Sequence, residues 1–254
     1  MAESPEPPPQ TESAGHPRWV RVCHWIVALS FLVLTVSGCV ILMCHPRLYW
    51  GEVGNDLTPA FLELPIGPNQ HNEWVINEPV AQNGNAPVSA TRKNVIFNQN
   101  SWARSLHFLA AWFLVVPGVV YLLVGIFTGH FRRHLWPGGE LTPHQLWRDL
   151  VDHLRLRIKP APGSARYGLI QKCTYCGIVF VALPLVVLTG LAMSPAITAG
   201  YPILGCMFGG FQSARTIHFF ATVVLVLFLV VHVAMVVRSG FLRQMRAMTF
   251  WRTP

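Results

Sequence analysis

The stretch Arg215-Thr-Ile-His218-Phe-Phe-Ala-Thr-Val-Val-Leu-Val-Leu-Phe-Leu-Val-Val-His232 sets two histidines into an otherwise apolar run that contains no acid. A run of this kind crosses the ~30 Å hydrocarbon core of a bilayer as a helix, because a backbone in lipid has to satisfy its own hydrogen bonds. His218 and His232 stand fourteen residues apart. At about 100° per residue the rotation falls only ~40° short of four turns, so both side chains leave one helix face, ~21 Å apart along the axis. One histidine therefore lies near each membrane surface.

Three further apolar runs, at about residues 24–43, 104–127 and 173–193, join this one at 214–237. The formal charges in the four runs are Arg104 and Arg215, each at a rim. Alternation of apolar and polar residues, the mark of a membrane barrel, is absent. The whole composition agrees. Of the 254 residues 52% are hydrophobic and 12% charged, against ~25% charged in an ordinary soluble domain. Six scattered cysteines are too few for a small disulfide scaffold. The expected fold is an all-α integral membrane protein, a bundle of four transmembrane helices over residues 18–245. A Pro- and Glu-rich tail expected to be disordered precedes it at 1–17, and a short tail follows at 246–254.

Charge sets the orientation. The 128–172 loop carries eight Lys/Arg against three acids, and the chain from Arg238 onward carries four Arg and no acid. The 44–102 loop has three Lys/Arg against five acids, and 194–213 has no charge. Basic loops stay in the cytoplasm, which puts both termini and 128–172 on that side and 44–102 and 194–213 outside. The formal net charge of +8 is thus accounted for by topology, with anionic lipid as neighbour and no nucleic acid partner. Val36-Ser37-Gly38-Cys39 resembles a lipoprotein cleavage box. The apolar run continues through Met43, however, so a full span with Ser37 and Gly38 as close-packing positions is expected instead. Tyr49, Trp50, Phe61, Trp74 and Phe97 make the long outer loop an expected ordered cap. In the inner loop, Thr142-Pro143 opens a helix whose Leu146, Leu150, Leu154 and Ile158 recur at i+4.

With this orientation the histidines sort by depth. His107 begins the second span and His218 the fourth, both near the outer surface. His24 begins the first span and His232 ends the fourth, both near the inner surface. Polar residues inside a bilayer are costly and default to function. Two neutral imidazoles facing each other suit the two axial positions of low-spin haem iron. Zinc would call for a tetrahedral set with thiolates or carboxylates, and no acid lies in any span. The same absence disfavours an ion-coupled transporter. Arg21, Arg104 and Arg215 each precede a histidine by three residues, on a shared helix face where guanidinium can pair with a propionate or simply snorkel to the interface. Cys173-Thr-Tyr-Cys176 is followed by Gly177, not the histidine that covalent haem attachment requires. Gly190, after Thr189, is a packing point.

The pattern Arg21-x-x-His24-Trp25, Arg104-x-x-His107-Phe108 and His218-x13-His232 resembles the di-haem cytochrome b subunits of bacterial nickel hydrogenases and formate dehydrogenases. Tyr49-Trp50-Gly51-Glu52 is more similar to the thiosulfate-reductase branch. The resemblance covers about residues 18–245. It implies two b-type haems with His24, His107, His218 and His232 as ligands, a quinone as exchangeable substrate near the inner haem, and an extracytoplasmic redox subunit of molybdopterin or hydrogenase type. Gln171 and Lys172 are weak candidates for quinone contact. The expected function is electron transfer between quinone and that partner, in the bacterial inner membrane. The alternatives are a stand-alone superoxide:quinone oxidoreductase of the same architecture and a haem-free transporter.

Overall fold

The computed structural model describes residues 17–54, 58–64, 100–136, 142–154 and 169–249. Four helices in it are long and apolar enough to cross a membrane. They are α1 (Arg18–Cys44), α2 (Asn100–Phe127), a third rod and α9 (Phe211–Arg238). The third rod runs from α5 (Leu169–Gly177) through a π-helical turn (Ile178–Ala182) into α6 (Leu183–Ala192). Each of the four begins before the apolar run that announces it, because polar and basic residues such as Arg18 and Gln212 extend the helix into the interface.

The π turn has a local cause. Pro184 sits in the first turn of α6; it has no N–H to give, and its ring would press on the carbonyl four residues back. The backbone widens instead, and the Leu183 N–H bonds the Ile178 carbonyl, five residues back. Pro117 is likewise inside α2.

The close backbone contacts fall within two pairs, α1 with α2 and the third rod with α9. Small residues make the first pair possible. Cys23, Ser30 and Ser37 are buried along α1 at seven-residue spacing, and Ala103 and Ala110 along α2. In α9 the buried set is Ser213, Ala214, Thr216, Ala221 and Leu225. Large apolar side chains point the other way: Leu29, Leu32 and Val36 on α1, Trp112 and Val116 on α2, and Leu227 and Val230 on α9 are exposed. An exposed apolar surface of this extent is what a helix presents to lipid.

The part of the 44–102 loop that is described forms a strap. β1 (Arg47–Leu48) pairs antiparallel with β2 (Leu62–Glu63), and Arg47 faces Glu63 at 3.4 Å. Tyr49-Trp50-Gly51-Glu52 then crosses the start of α9. The Thr216 hydroxyl donates to the Tyr49 carbonyl (2.7 Å), the Gly51 N–H donates to Ser213 Oγ (2.8 Å), and the N–H groups of Gln212 and Ser213 donate to the Gly51 carbonyl. The Glu52 carboxylate accepts from the Phe211 N–H at 3.0 Å, which satisfies one of the donors a helix start leaves open and places a negative charge at the positive end of the helix dipole. The crossing is close enough to require Gly210. It has φ +107°, and a Cβ there would lie 2.6 Å from Glu52 Oε2 and 2.7 Å from the Gly51 backbone. The ordered cap expected of this loop is therefore present for residues 45–54 and 58–64; Trp74 and Phe97 lie outside the described residues, as does the tail 1–16.

At the other end of the bundle, α3 (His130–His134) folds back from α2. The helix expected after Thr142 is α4 (Pro143–Leu154), with Thr142 Oγ1 accepting from the Gln145 N–H at 3.2 Å. Ile158 is outside the described residues. Asp149 on α4 caps the start of α5 by accepting from the Ile170 N–H at 2.7 Å. Two short helices, α7 (Pro195–Gly200) and α8 (Ile203–Met207), link α6 to α9. The last helix, α10 (Phe241–Met248), runs on past residue 245 and docks on α1. There Arg21 and Trp25 Nε1 donate to the carbonyls of Thr249 (2.7 Å) and Met248 (2.8 Å).

Candidate haem sites

The four histidines meet in the two pairs that depth predicts. The His107 and His218 ring centroids are 6.3 Å apart with their planes inclined at 59°; those of His24 and His232 are also 6.3 Å apart, inclined at 49°. This spacing is informative. A metal–nitrogen bond is about 2.0 Å and a ring nitrogen lies about 1.1 Å from its centroid, so two imidazoles on opposite sides of one metal have centroids about 6.2 Å apart. Among the described residues no group of three or more His, Cys, Asp or Glu is placed to hold a metal ion. Among the described residues each site thus presents two histidines, the number of protein ligands that a b-type haem takes.

The surroundings of the two pairs differ. The first is held by hydroxyls. Ser37 Oγ on α1 lies 3.0 Å from His107 Nδ1, and Thr189 Oγ1 on α6 lies 3.0 Å from His218 Nδ1. Each hydroxyl gives its own hydrogen to a carbonyl one turn back, Ser37 to Val33 at 2.8 Å and Thr189 to Leu185 at 2.7 Å. Each oxygen is thus an acceptor toward the histidine, so Nδ1 carries the proton and Nε2 keeps its lone pair. The residue after each hydroxyl is glycine, and a Cβ there would come within 3.4 Å (Gly38) or 3.5 Å (Gly190) of the histidine Cε1. A methyl would just touch; anything larger would press on the ring edge beside Nε2.

The second pair is set among rings. His232 stacks on Phe228 with centroids 5.7 Å apart, and Trp25 meets His24 edge-on at 5.3 Å. His24 Nδ1 is buried with no hydrogen-bond partner.

The chain matches the family model described as prokaryotic cytochrome b561 over residues 15–251. It belongs to that family. A curated relative from Azospira oryzae, provisionally named protein-methionine-sulfoxide reductase subunit YedZ1, is 28% identical over 223 residues, which cover 88% of this chain and 90% of the relative. No solved structure matches significantly. The chain is thus a b-type haem cytochrome that carries electrons as a multi-pass protein of the bacterial inner membrane, and the membership removes the haem-free transporter reading.

In this cytochrome the arginines read from the sequence have separate fates. Arg21 is tied to the Thr249 carbonyl. Arg215 lies under the strap and donates to the His45 carbonyl. Arg104 is exposed at the start of α2. Two of the three are therefore occupied with backbone at the ends of the bundle. Ser37 stands inside the lipoprotein-like box, buried in an unbroken α1 and bonded to a histidine of α2; a cleaved and lipidated Cys39 would destroy that contact. Sequence reasoning treated Ser37, Gly38 and Gly190 as packing positions and passed over Thr189. The signal available was the repeated hydroxyl–glycine dipeptide, Ser37-Gly38 and Thr189-Gly190, once in the first span and once in the third.

A cavity of about 470 Å³ opens near the ends of α2 and α3, walled by Phe131, Leu135, Trp136, Phe180 and Cys176, with Arg132 at its rim. It lies at the His24/His232 end of the bundle, where Trp19 of α1 packs on Tyr121 and His130. Phe131 continues the aromatic row from Tyr121 (5.3 Å) to Phe180 (5.1 Å). Cys176 of the Cys173-x-x-Cys176 motif turns its thiol to the Leu135 carbonyl at 3.6 Å, a wall position and not a haem attachment.

Proposed function

We propose that this cytochrome holds two b-type haems, one between His107 and His218 and one between His24 and His232, and passes electrons between a membrane quinone and a redox partner outside the cytoplasm. The observation that carries the reading is the 6.3 Å ring separation repeated in both pairs. Haem iron held this way takes up and releases single electrons. The chain's own part is to present two lone pairs per site, to keep water out with apolar helix faces, and to space the sites about 21 Å apart along α9. That distance is between the ligating positions of His218 and His232 on one helix.

Orientation follows from charge. The basic 128–172 loop and the Arg-rich C-terminus belong in the cytoplasm, which makes His24/His232 the inner site and His107/His218 the outer. The apolar cavity beside Phe131, Trp136 and Phe180 is then at the inner side, open laterally and lined by rings that suit a quinone head group. Gln171 and Lys172 are not among its walls. The strap over the start of α9 covers the outer site and offers the face for a partner. The relative's name, a reductase subunit, supports a catalytic partner that spends electrons on a substrate. A molybdopterin oxidoreductase is the class the thiosulfate-reductase-like residues Tyr49–Glu52 indicate.

The test is reduction of the purified protein by a short-chain quinol. Haem should reduce within seconds, and Trp136→Ala should slow this at least several-fold with haem content unchanged. A protein that dithionite reduces and no quinol does would contradict the quinone assignment.

A further inference from the structure

The two histidine pairs have the same ring spacing and different supports, and the difference is systematic. In the first pair both histidines meet a hydroxyl on the helix packed beside their own: His107 of α2 meets Ser37 of α1, and His218 of α9 meets Thr189 of α6. Both contacts are 3.0 Å. Both hydroxyls are fully buried and spend their hydrogens one turn back on their own helices, at Val33 and Leu185. Back-bonding of that sort is common for Ser and Thr in helices and needs no histidine to explain it. It does fix which lone pairs remain, and in both cases these face Nδ1. Each hydroxyl is followed by a glycine against the ring edge, at Gly38 and Gly190. The second pair lacks such an acceptor at His24, whose Nδ1 is buried without a partner.

We propose that Ser37 and Thr189 are positioning residues of the His107/His218 site, fixing both rings in the Nδ1–H tautomer and making that site chemically distinct from the His24/His232 site. The inference rests on the haem assignment above. A histidine that donates from Nδ1 to an acceptor is oriented and made a stronger ligand through Nε2. A stronger donor favours ferric over ferrous iron, so the hydroxyls lower the reduction potential of their own site. They leave the other site untouched. The two sites in one chain are thereby set to different potentials by two buried hydroxyls, Ser37 and Thr189.

The experiment is a redox titration of the purified holoprotein, with low-spin electron paramagnetic resonance of the oxidised form, on Ser37→Ala, Thr189→Val, Ser37→Thr and Thr189→Ser. Ser37→Ala and Thr189→Val should each raise the midpoint potential of one haem and move its low-spin signal, because the ring loses one of its two acceptors, the Leu34 or Val186 carbonyl remaining. The other haem should not change. Ser37→Thr and Thr189→Ser should restore wild-type values. Retention of the affected haem should weaken roughly 10-fold or more. Selective loss of that haem, rescued by the hydroxyl-bearing variant, has the same meaning. Two haems with unchanged potentials and spectra would overturn the proposal, as would equal shifts in both or loss without rescue. A wild-type protein lacking haem would instead refute the assignment on which the proposal rests.

Discussion

At the scale of residues, the proposed chemistry rests on four histidines, whose rings pair across different helices, His107 with His218 and His24 with His232. His107→Ala or His218→Ala should take one haem and leave the other, and His24→Ala or His232→Ala should do the reverse. A pyridine haemochrome assay should read one haem per chain for each single variant and none for His107→Ala combined with His24→Ala. Equal loss of both haems from a folded single variant would contradict the pairing. These residues were legible because a bilayer makes histidine conspicuous and because fourteen residues return a helix to the same face. Ser37 and Thr189 were not. A buried serine in a span is ordinarily accounted for by its own i−4 carbonyl, and only the packing of α1 on α2 and α6 on α9 reveals the second contact. The arginines have a contact the sequence did not show. Arg21 and Arg215 share a helix face with their histidines, yet both reach backbone carbonyls of segments distant in sequence.

At the scale of elements, the long helices were legible from apolar length, and the strap was legible only as aromatic content. What Tyr49–Glu52 does is cap α9, a role that depends on chain reversal at Gly51 (φ +94°) and Gly210 (φ +107°). Glu52→Gln keeps the shape and removes the charge at the helix start. It should lower stability by about 0.3–1 kcal/mol, seen as a small drop in melting temperature in detergent with haem content unaltered. The strap also has a pH signature. Burial, with Arg215 and Arg47 nearby, pushes the His45 imidazole down to about 4 from its ordinary value near 6.5. As pH falls through 6.5 the unfolded chain takes up a proton that the folded one refuses, so stability declines from about pH 6.5 toward 4. His45→Gln should flatten that decline in melting temperature measured between pH 7 and 4.5; an identical slope would assign the acid sensitivity elsewhere. The π turn escaped the sequence reading because Pro184 in an apolar run marks a disturbance without stating whether the helix breaks, kinks or widens.

At the scale of the whole molecule, the chain is two antiparallel helix pairs, each seamed by small residues, which come together around histidines. The sparse packing between the pairs and the matched ring separations are what the proposed pair of haems would call for. Helix number followed from hydropathy. The pairing of helices did not, because any of several arrangements of four apolar rods buries small residues equally well. Docking of α10 on the start of α1, through Arg21 and Trp25, ties α10 to the His24/His232 end of the bundle.

The most direct measurement is a dithionite-reduced minus oxidised visible spectrum of the detergent-purified chain, with a pyridine haemochrome assay on the same sample. Two non-covalent b-type haems per chain, resolved as two components in a redox titration, are expected. A protein that stays colourless after expression with added haem, or binds one haem that survives loss of either histidine pair, would contradict the paired-site assignment.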